Sequence, residues 1–359
     1  MIPYYLLVGV PTVMALLFTD AQDLERGRKH RRIIIGTFFA ILFLILALRS
    51  ESVGVDLKIY LPQYASIGRT PWSDIFERFS ETEPAFVALN KIIAGITMSN
   101  KQWFLCAIAA ICTLAFARLY SRESENALLT LSIFLVLPTF PMLFSGLRQA
   151  VAIALVVPAY IFTREKKLIK FLITVVLATL FHTSAILVLI MYPVYHMKIK
   201  RSTLIIVLPV LALVFAFNRE IFGLLQPLLG DEYKDYVITE TGSFTMLILF
   251  VLFAAFSYIA PRDRALDRET VGLRNLLVLS VAIQLFSPIS TIAMRVNYYF
   301  IVLIPLLIPR IINRTSEKNR KIYKLIGFGM VAFFLVYYLV KANVGSDILQ
   351  TYPYKAFWE

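Results

Sequence analysis

An all-α polytopic membrane protein is what this sequence predicts, on three observations. Of the 359 residues 59% are hydrophobic and only 16% charged, apolar runs follow one another without a soluble-sized gap, and basic residues concentrate in alternate connections between those runs. A soluble domain carries nearer a quarter charged residues and has no way to hide this much Leu, Ile, Val and Phe from water. Disorder and collagen are excluded by the same composition.

The apolar runs cover 2–19, 33–48, 101–118, 126–144, 150–163, 168–181, 183–197, 203–217, 244–260, 275–291, 296–312 and 325–341, which makes twelve candidate spans. Several hold fewer than the roughly 20 residues needed to cross about 30 Å of hydrocarbon, so their ends reach into flanking polar residues or the bilayer thins around them. Residues 84–98 (PAFVALNKIIAGITM) form one more apolar stretch, interrupted by Asn90 and Lys91. That interruption fits a re-entrant or peripheral helix better than a crossing.

Orientation follows from Lys and Arg, which accumulate in cytoplasmic connections. With the N-terminus outside, twelve alternating spans put 24 of the 36 basic residues inside and 12 outside; the inner connections then carry a net +14 and the outer ones −1. Counting 84–98 as a crossing would move every later basic connection to the outer face. No basic region precedes the first apolar run and no small-residue cleavage site follows it, so it reads as an uncleaved span, and both termini are expected outside the cytoplasm. The whole chain, 1–359, reads as one integral membrane domain with extracytoplasmic loops at 49–100 and 218–243.

On the expected outer side, polar residues from distant parts of the chain converge. Residues 49–83 contribute Arg49, Asp56, Tyr60 and Glu83; the turn SGLRQ carries Arg148 and Gln149; the turn FHTS carries His182; and MRVNYYF carries Arg295, Asn297 and Tyr299. Taken singly, such residues snorkel to head groups, cap a turn or sit in an interfacial aromatic belt. Together, three arginines, a histidine and two carboxylates at one depth suit a lipid-linked phosphate. Arg148 and Gln149 also stand just before a helix, whose free N–H groups and positive dipole end favour a diphosphate, and arginine adds bidentate hydrogen bonds. Asp56 or Glu83 beside such a pocket would accept the proton of a hydroxyl nucleophile.

Other chemistries find little support. Asp231, Glu232 and Asp235 lie in GDEYKDY without the pattern of an oxygen-ligated cation site, and Cys106 and Cys112 share one span off a common helical face. That spacing suggests neither a disulfide nor zinc. Dinucleotide, P-loop, zinc-protease and nucleophile-elbow motifs are absent. No exposed basic domain for nucleic acid remains once the inner connections are explained.

These residues resemble the EpsG family of exopolysaccharide polymerases, relatives of Wzy-type O-antigen and capsule polymerases. The resemblance rests on RSESVGVDLKIY (49–60), EPAF (83–86), NKQWF (100–104), GLRQAVA (146–152), FHTSA (181–185) and RVNYYF (295–300) followed by Pro305, in that order. It implies a GT-C-like helical architecture and metal-independent glycosyl transfer without a cofactor. The substrates it implies are oligosaccharide repeat units on undecaprenyl diphosphate, at the outer face of the bacterial cytoplasmic membrane. Membrane lipid, a flippase and a chain-length regulator are the implied partners. Arg148, with Arg49, Arg295 and His182, would bind the donor diphosphate; Asp56 or Glu83 would deprotonate the acceptor; Tyr60, Gln149, Asn297 and Tyr299 would orient sugar or phosphate oxygens. An O-antigen ligase would share those arginines. A transporter or flippase would show repeated halves and charges in mid-span, which this chain lacks. A membrane O-acyltransferase would need more than His182.

Overall fold

The computed structural model describes residues 2–18, 27–225, 244–261, 265–343 and 349–359. Among these residues the regular structure is helical, and the one β-type pairing is an isolated antiparallel bridge between Arg49 and Ala356. The helices are α1 (Ile2–Leu17), α2 (Arg28–Ala47), α3 (Leu57–Arg69), α4 (Ile75–Arg78), α5 (Pro84–Thr97), α6 (Lys101–Glu123), α7 (Ala127–Val136), α8 (Thr139–Ser145), α9 (Leu147–Arg164), α10 (Leu168–Thr179), α11 (Met191–His196), α12 (Leu204–Ala216), α13 (Asn218–Leu225), α14 (Thr245–Ile259), α15 (Arg268–Gln284), α16 (Thr291–Ile301), α17 (Ile304–Asn313) and α18 (Glu317–Asn343). A 3-10 segment, Thr183–Ile190, leads into α11.

Each of the twelve apolar runs carries helix, with polar residues extending several of them: α2 starts at Arg28, α15 at Arg268 and α18 at Glu317. Among the described residues four helices (α2, α6, α9 and α18) are long and apolar enough to cross a membrane, or up to seven if each bent pair counts as one span. The pair α7–α8 bends by 59°. Pro138 stands at the bend; a proline has no N–H to give and pushes the residue before it out of helical geometry. The acids of GDEYKDY lie outside the described residues.

Where the sequence reads as one membrane domain, the helices group into two compact units: Met1–Leu189 with Phe328–Glu359, and Ile190–Gly327. In the first, α2 packs on α6, α6 on α9, and α9 on α10. Phe38, Phe39, Phe116, Tyr120, Phe134, Phe140 and Phe144 join α2, α6, α7 and α8 through tilted and edge-on ring contacts. Such pairs add about 0.5–1.5 kcal/mol each beyond their buried area. At the opposite end of α6 and α9, Arg164 meets Glu123 at 2.7 Å.

The segment between α2 and α6 folds on itself. Asn100 caps α6 by accepting from the Gln102 and Trp103 amides. The two polar residues that interrupt α5 are both satisfied locally: buried Asn90 donates to the Phe86 carbonyl, and Lys91 Nζ donates to the Gly68 and Thr70 carbonyls at the end of α3. With 14 residues α5 is about 21 Å long, short of a bilayer's hydrocarbon. Preceding α3, Gly54 has φ +115°, and a Cβ there would lie 2.1 Å from the Phe144 carbonyl oxygen. Gly54→Ala therefore forces backbone apart at a conformation L-residues avoid, and a loss of at least about 1–3 kcal/mol in stability is expected from chemical denaturation of the purified protein.

In the second unit, charged residues fasten the ends of α15 and α17. Asp267 caps α15 through the Thr270 amide and receives Arg314 Nε and Nη2 at 2.9 and 2.8 Å; Arg310 pairs with Glu269 at 3.0 Å. Arg274 lies over the Tyr258 ring and donates to the Ile199 carbonyl.

Candidate functional site

The first unit assembles one polar cluster from four separate stretches of chain. Glu83 is the starting point. It precedes Pro84, the first residue of α5, and takes the extended conformation (φ −55°, ψ 130°) that a following proline favours. Its carboxylate does not cap the helix and is free to reach outward. Glu83 Oε2 accepts from Arg148 Nη1 at 2.6 Å, and Oε1 lies 2.8 Å from His182 Nδ1 and accepts from the Thr183 amide at 3.2 Å. The Ala85 amide donates to the Leu180 carbonyl, which fixes the start of α5 against the end of α10 and so sets His182 beside Glu83.

Arg148 is the second residue of α9, an 18-residue helix that starts after Gly146. Its Nε approaches the Tyr60 hydroxyl at 3.5 Å, and its guanidinium stands 5.9 Å from the Tyr60 ring centroid. Tyr60 is itself braced edge-on by Phe86 of α5. With Nη1 on Glu83 and Nε toward Tyr60, Nη2 is left for a ligand, and the side chain is 31% exposed. The backbone amides of the first α9 turn point the same way as the helix dipole, toward anions.

Burial alone would raise the Glu83 carboxyl, but the His182 hydrogen bond and the Arg148 charge outweigh it and hold the group at about 2. Glu83 is thus a fixed carboxylate, suited to holding Arg148 and His182 and poorly suited to taking a proton. Burial raises the Tyr60 phenol; Arg148 opposes this, while the charges of Asp56 and Glu83 reinforce it. Since the folded pKa of Glu83 is depressed, its ionisation stabilises the fold fully above its ordinary value of 4.5 and loses that contribution as pH falls toward 2. Glu83→Gln leaves the Arg148 guanidinium and the His182 ring without a carboxylate partner, at a cost of about 1–3 kcal/mol near neutral pH. Comparing wild type and Glu83→Gln by denaturant unfolding should show that gap constant down to about pH 4.5 and narrowing below it.

Asp56 sits at the start of α3, half-buried, with its amide donating to Ser145 Oγ at 3.2 Å and its carbonyl accepting from the Tyr60 amide. Gln149 is buried in α9. Arg49 is also buried, 2% exposed, with its guanidinium 5.5 Å from the Phe144 ring centroid and its backbone paired to Ala356. Arg295, Asn297 and Tyr299 belong to the second unit. There Arg295 is exposed on α16, Tyr299 is fully buried, and Asn297 donates to the Ser280 carbonyl and Gln284 Oε1. Asn297 therefore ties α16 to α15.

Three participants escape a reading by residue type. The Thr183 amide and the Ser145 hydroxyl act through positions no side-chain motif marks, although Ser145 adjoins GLRQ. The 349–359 segment is polar and aromatic, without an apolar run to draw notice.

The EpsG family model matches residues 32–356, nearly the whole chain. No curated protein and no solved structure matches it.

Proposed function

The chain belongs to the EpsG family, and from that membership we propose that it is a membrane glycosyltransferase that polymerises undecaprenyl-diphosphate-linked oligosaccharide repeat units at the outer face of the bacterial cytoplasmic membrane. Membership supports exopolysaccharide-related polymerisation at the level of the family. The carrier lipid, the membrane face, twelve spans in a GT-C-like arrangement, a metal-independent reaction, and a flippase and chain-length regulator as partners complete our reading.

The observation that carries it is the Glu83 carboxylate holding Arg148 and His182 together at the start of α9. A guanidinium fixed on one edge and open on the other, at a helix N-terminus, is built to receive phosphate oxygens. In the reaction, Asp56 takes the proton of the acceptor sugar hydroxyl, and that oxygen attacks the anomeric carbon of the donor glycan. The bond from that carbon to the diphosphate oxygen breaks, and the electron pair leaves on the diphosphate. Arg148, His182 and the α9 amides stabilise the charge gathering there. Tyr60 orients oxygens between Asp56 and Arg148. Glu83, already a carboxylate with both oxygens engaged, positions Arg148 and His182.

The first unit brings the start of α1, the loop after α2 and residues 349–359 to one end. Tyr4 at the start of α1 donates to the Thr351 carbonyl, and the 349–359 segment pairs with the loop after α2. The reading is tested by incubating purified protein with a lipid-linked repeat unit. A ladder of lengthening products is expected; transfer of one unit to a different acceptor would indicate a ligase, and no transfer would overturn the proposal.

A further inference from the structure

Among the described residues Arg49 is a buried cation with no anion beside it. Among the described residues no carboxylate pairs with it, and its buried Nε donates to nothing. Other arginines withdrawn from solvent in this chain have acceptors: Arg164 has Glu123, Arg310 has Glu269 and Arg274 has the Ile199 carbonyl. Around Arg49 stand Phe144 and the neutral side chains of Tyr4, Tyr354 and Cys112. Burying a guanidinium with neither a counter-ion nor full hydrogen bonding is costly, and an anion would repay that cost.

The cover over Arg49 is the 349–359 segment. It is fastened mainly through backbone: the Ser50, Gly54 and Val55 amides donate to the Lys355, Gln350 and Leu349 carbonyls, and the Phe357 amide donates to the Leu48 carbonyl. Its largest apolar side chains, Phe357 and Trp358, are 51% and 66% exposed, so little hydrophobic burial opposes its release. Beneath it, Phe144 is followed directly by Ser145, which holds the Asp56 amide, and two residues further on by α9 with Arg148.

We propose that Arg49 is a second phosphate-binding site, closed here by the 349–359 segment, and that it takes the diphosphate of one lipid-linked substrate while Arg148 holds that of the other. Joining two lipid-linked units requires two diphosphates near one base, and Asp56 follows Arg49 in the same loop while its amide donates to the hydroxyl of Ser145, just before the helix that carries Arg148. The identity of the phosphate carrier rests on the polymerase reading; the anion site itself does not.

The test uses the full chain in nanodiscs, with Arg148→Ala to remove the first site and Cys106 and Cys112 replaced by Ala. Sodium pyrophosphate and, separately, undecaprenyl diphosphate added in vesicles are the probes; binding is read by calorimetry and segment release by hydrogen exchange at 349–359. Saturable binding with faster exchange of the segment is expected, weakened about tenfold or more by Arg49→Gln and less by Arg49→Lys. A disulfide from Ser50→Cys with Lys355→Cys, at neighbouring antiparallel positions, should abolish binding until reductant is added. Binding of both probes assigns the site to phosphate as such, and binding of the lipid alone assigns it to a lipid-borne phosphate. Binding of neither, or equal binding in the Arg49→Gln or disulfide-closed protein, overturns the proposal. No polymer is needed for this readout, so it stands apart from the ladder assay.

Discussion

Arg148→Ala is expected to lower polymer formation by about 10²–10³-fold while leaving the protein in the membrane, because a fixed donor aimed at developing charge is typically worth that much. The residue has the geometry for it: Glu83 at 2.6 Å and the Tyr60 hydroxyl at 3.5 Å hold the guanidinium, so it need not reorganise when the leaving diphosphate gains charge. Arg148→Lys keeps the charge but loses the planar fork, and should fall between wild type and Ala. The measurement is polymer per membrane-embedded protein, on gels of extracted glycan with the protein quantified alongside. Full-length polymer from Arg148→Ala at wild-type yield would remove this residue from the mechanism.

Asp56→Asn should cost about 10²–10⁴-fold in turnover of a purified lipid-linked repeat unit, the usual range for losing a general base. Asn retains the size of the side chain, and the Asp56 contacts to Ser145 Oγ and the Tyr60 amide run through backbone atoms, so the fold should survive. Glu83→Gln tests the division of labour between the two carboxylates. If Glu83 positions and Asp56 takes the proton, Glu83→Gln weakens substrate binding and stability and lowers turnover less than Asp56→Asn does. Unchanged turnover of Asp56→Asn would refute the assignment of the base.

The helices were legible because hydrophobic runs and their terminators are local. Each of the twelve runs carries helix, and capping residues such as Asn100 and Asp267 stand where the ends fall. What was not legible depends on tertiary placement. Nothing local divides 1–359 into two units, and nothing in RVNYYF announces that Asn297 spends its amide on the α15 helix. Glu83 illustrates the limit most clearly. Its place before Pro84 marks a helix start, but its choice between base and clamp is set by Arg148 and His182, which are 65 and 99 residues away in sequence. Charge counting had a similar limit. The inner basic excess reads as a marker of orientation, yet Arg164, Arg310 and Arg314 also make ion pairs that fasten helix ends.

The fastening of the loop after α2 by residues 349–359 bears on how the protein is made. Ser50, Gly54 and Val55 leave the ribosome early, while their carbonyl partners at 349–355 are added about 300 residues later. At 5–20 residues per second that interval is roughly 15–60 s. Through all of it Arg49 lacks the cover of residues 349–359, and the turn that carries Asp56 lacks its backbone partners. The earliest loop thus waits for the last segment described, and a ribosome that stops short of it leaves a chain whose helices have inserted but whose Asp56 turn has never been secured.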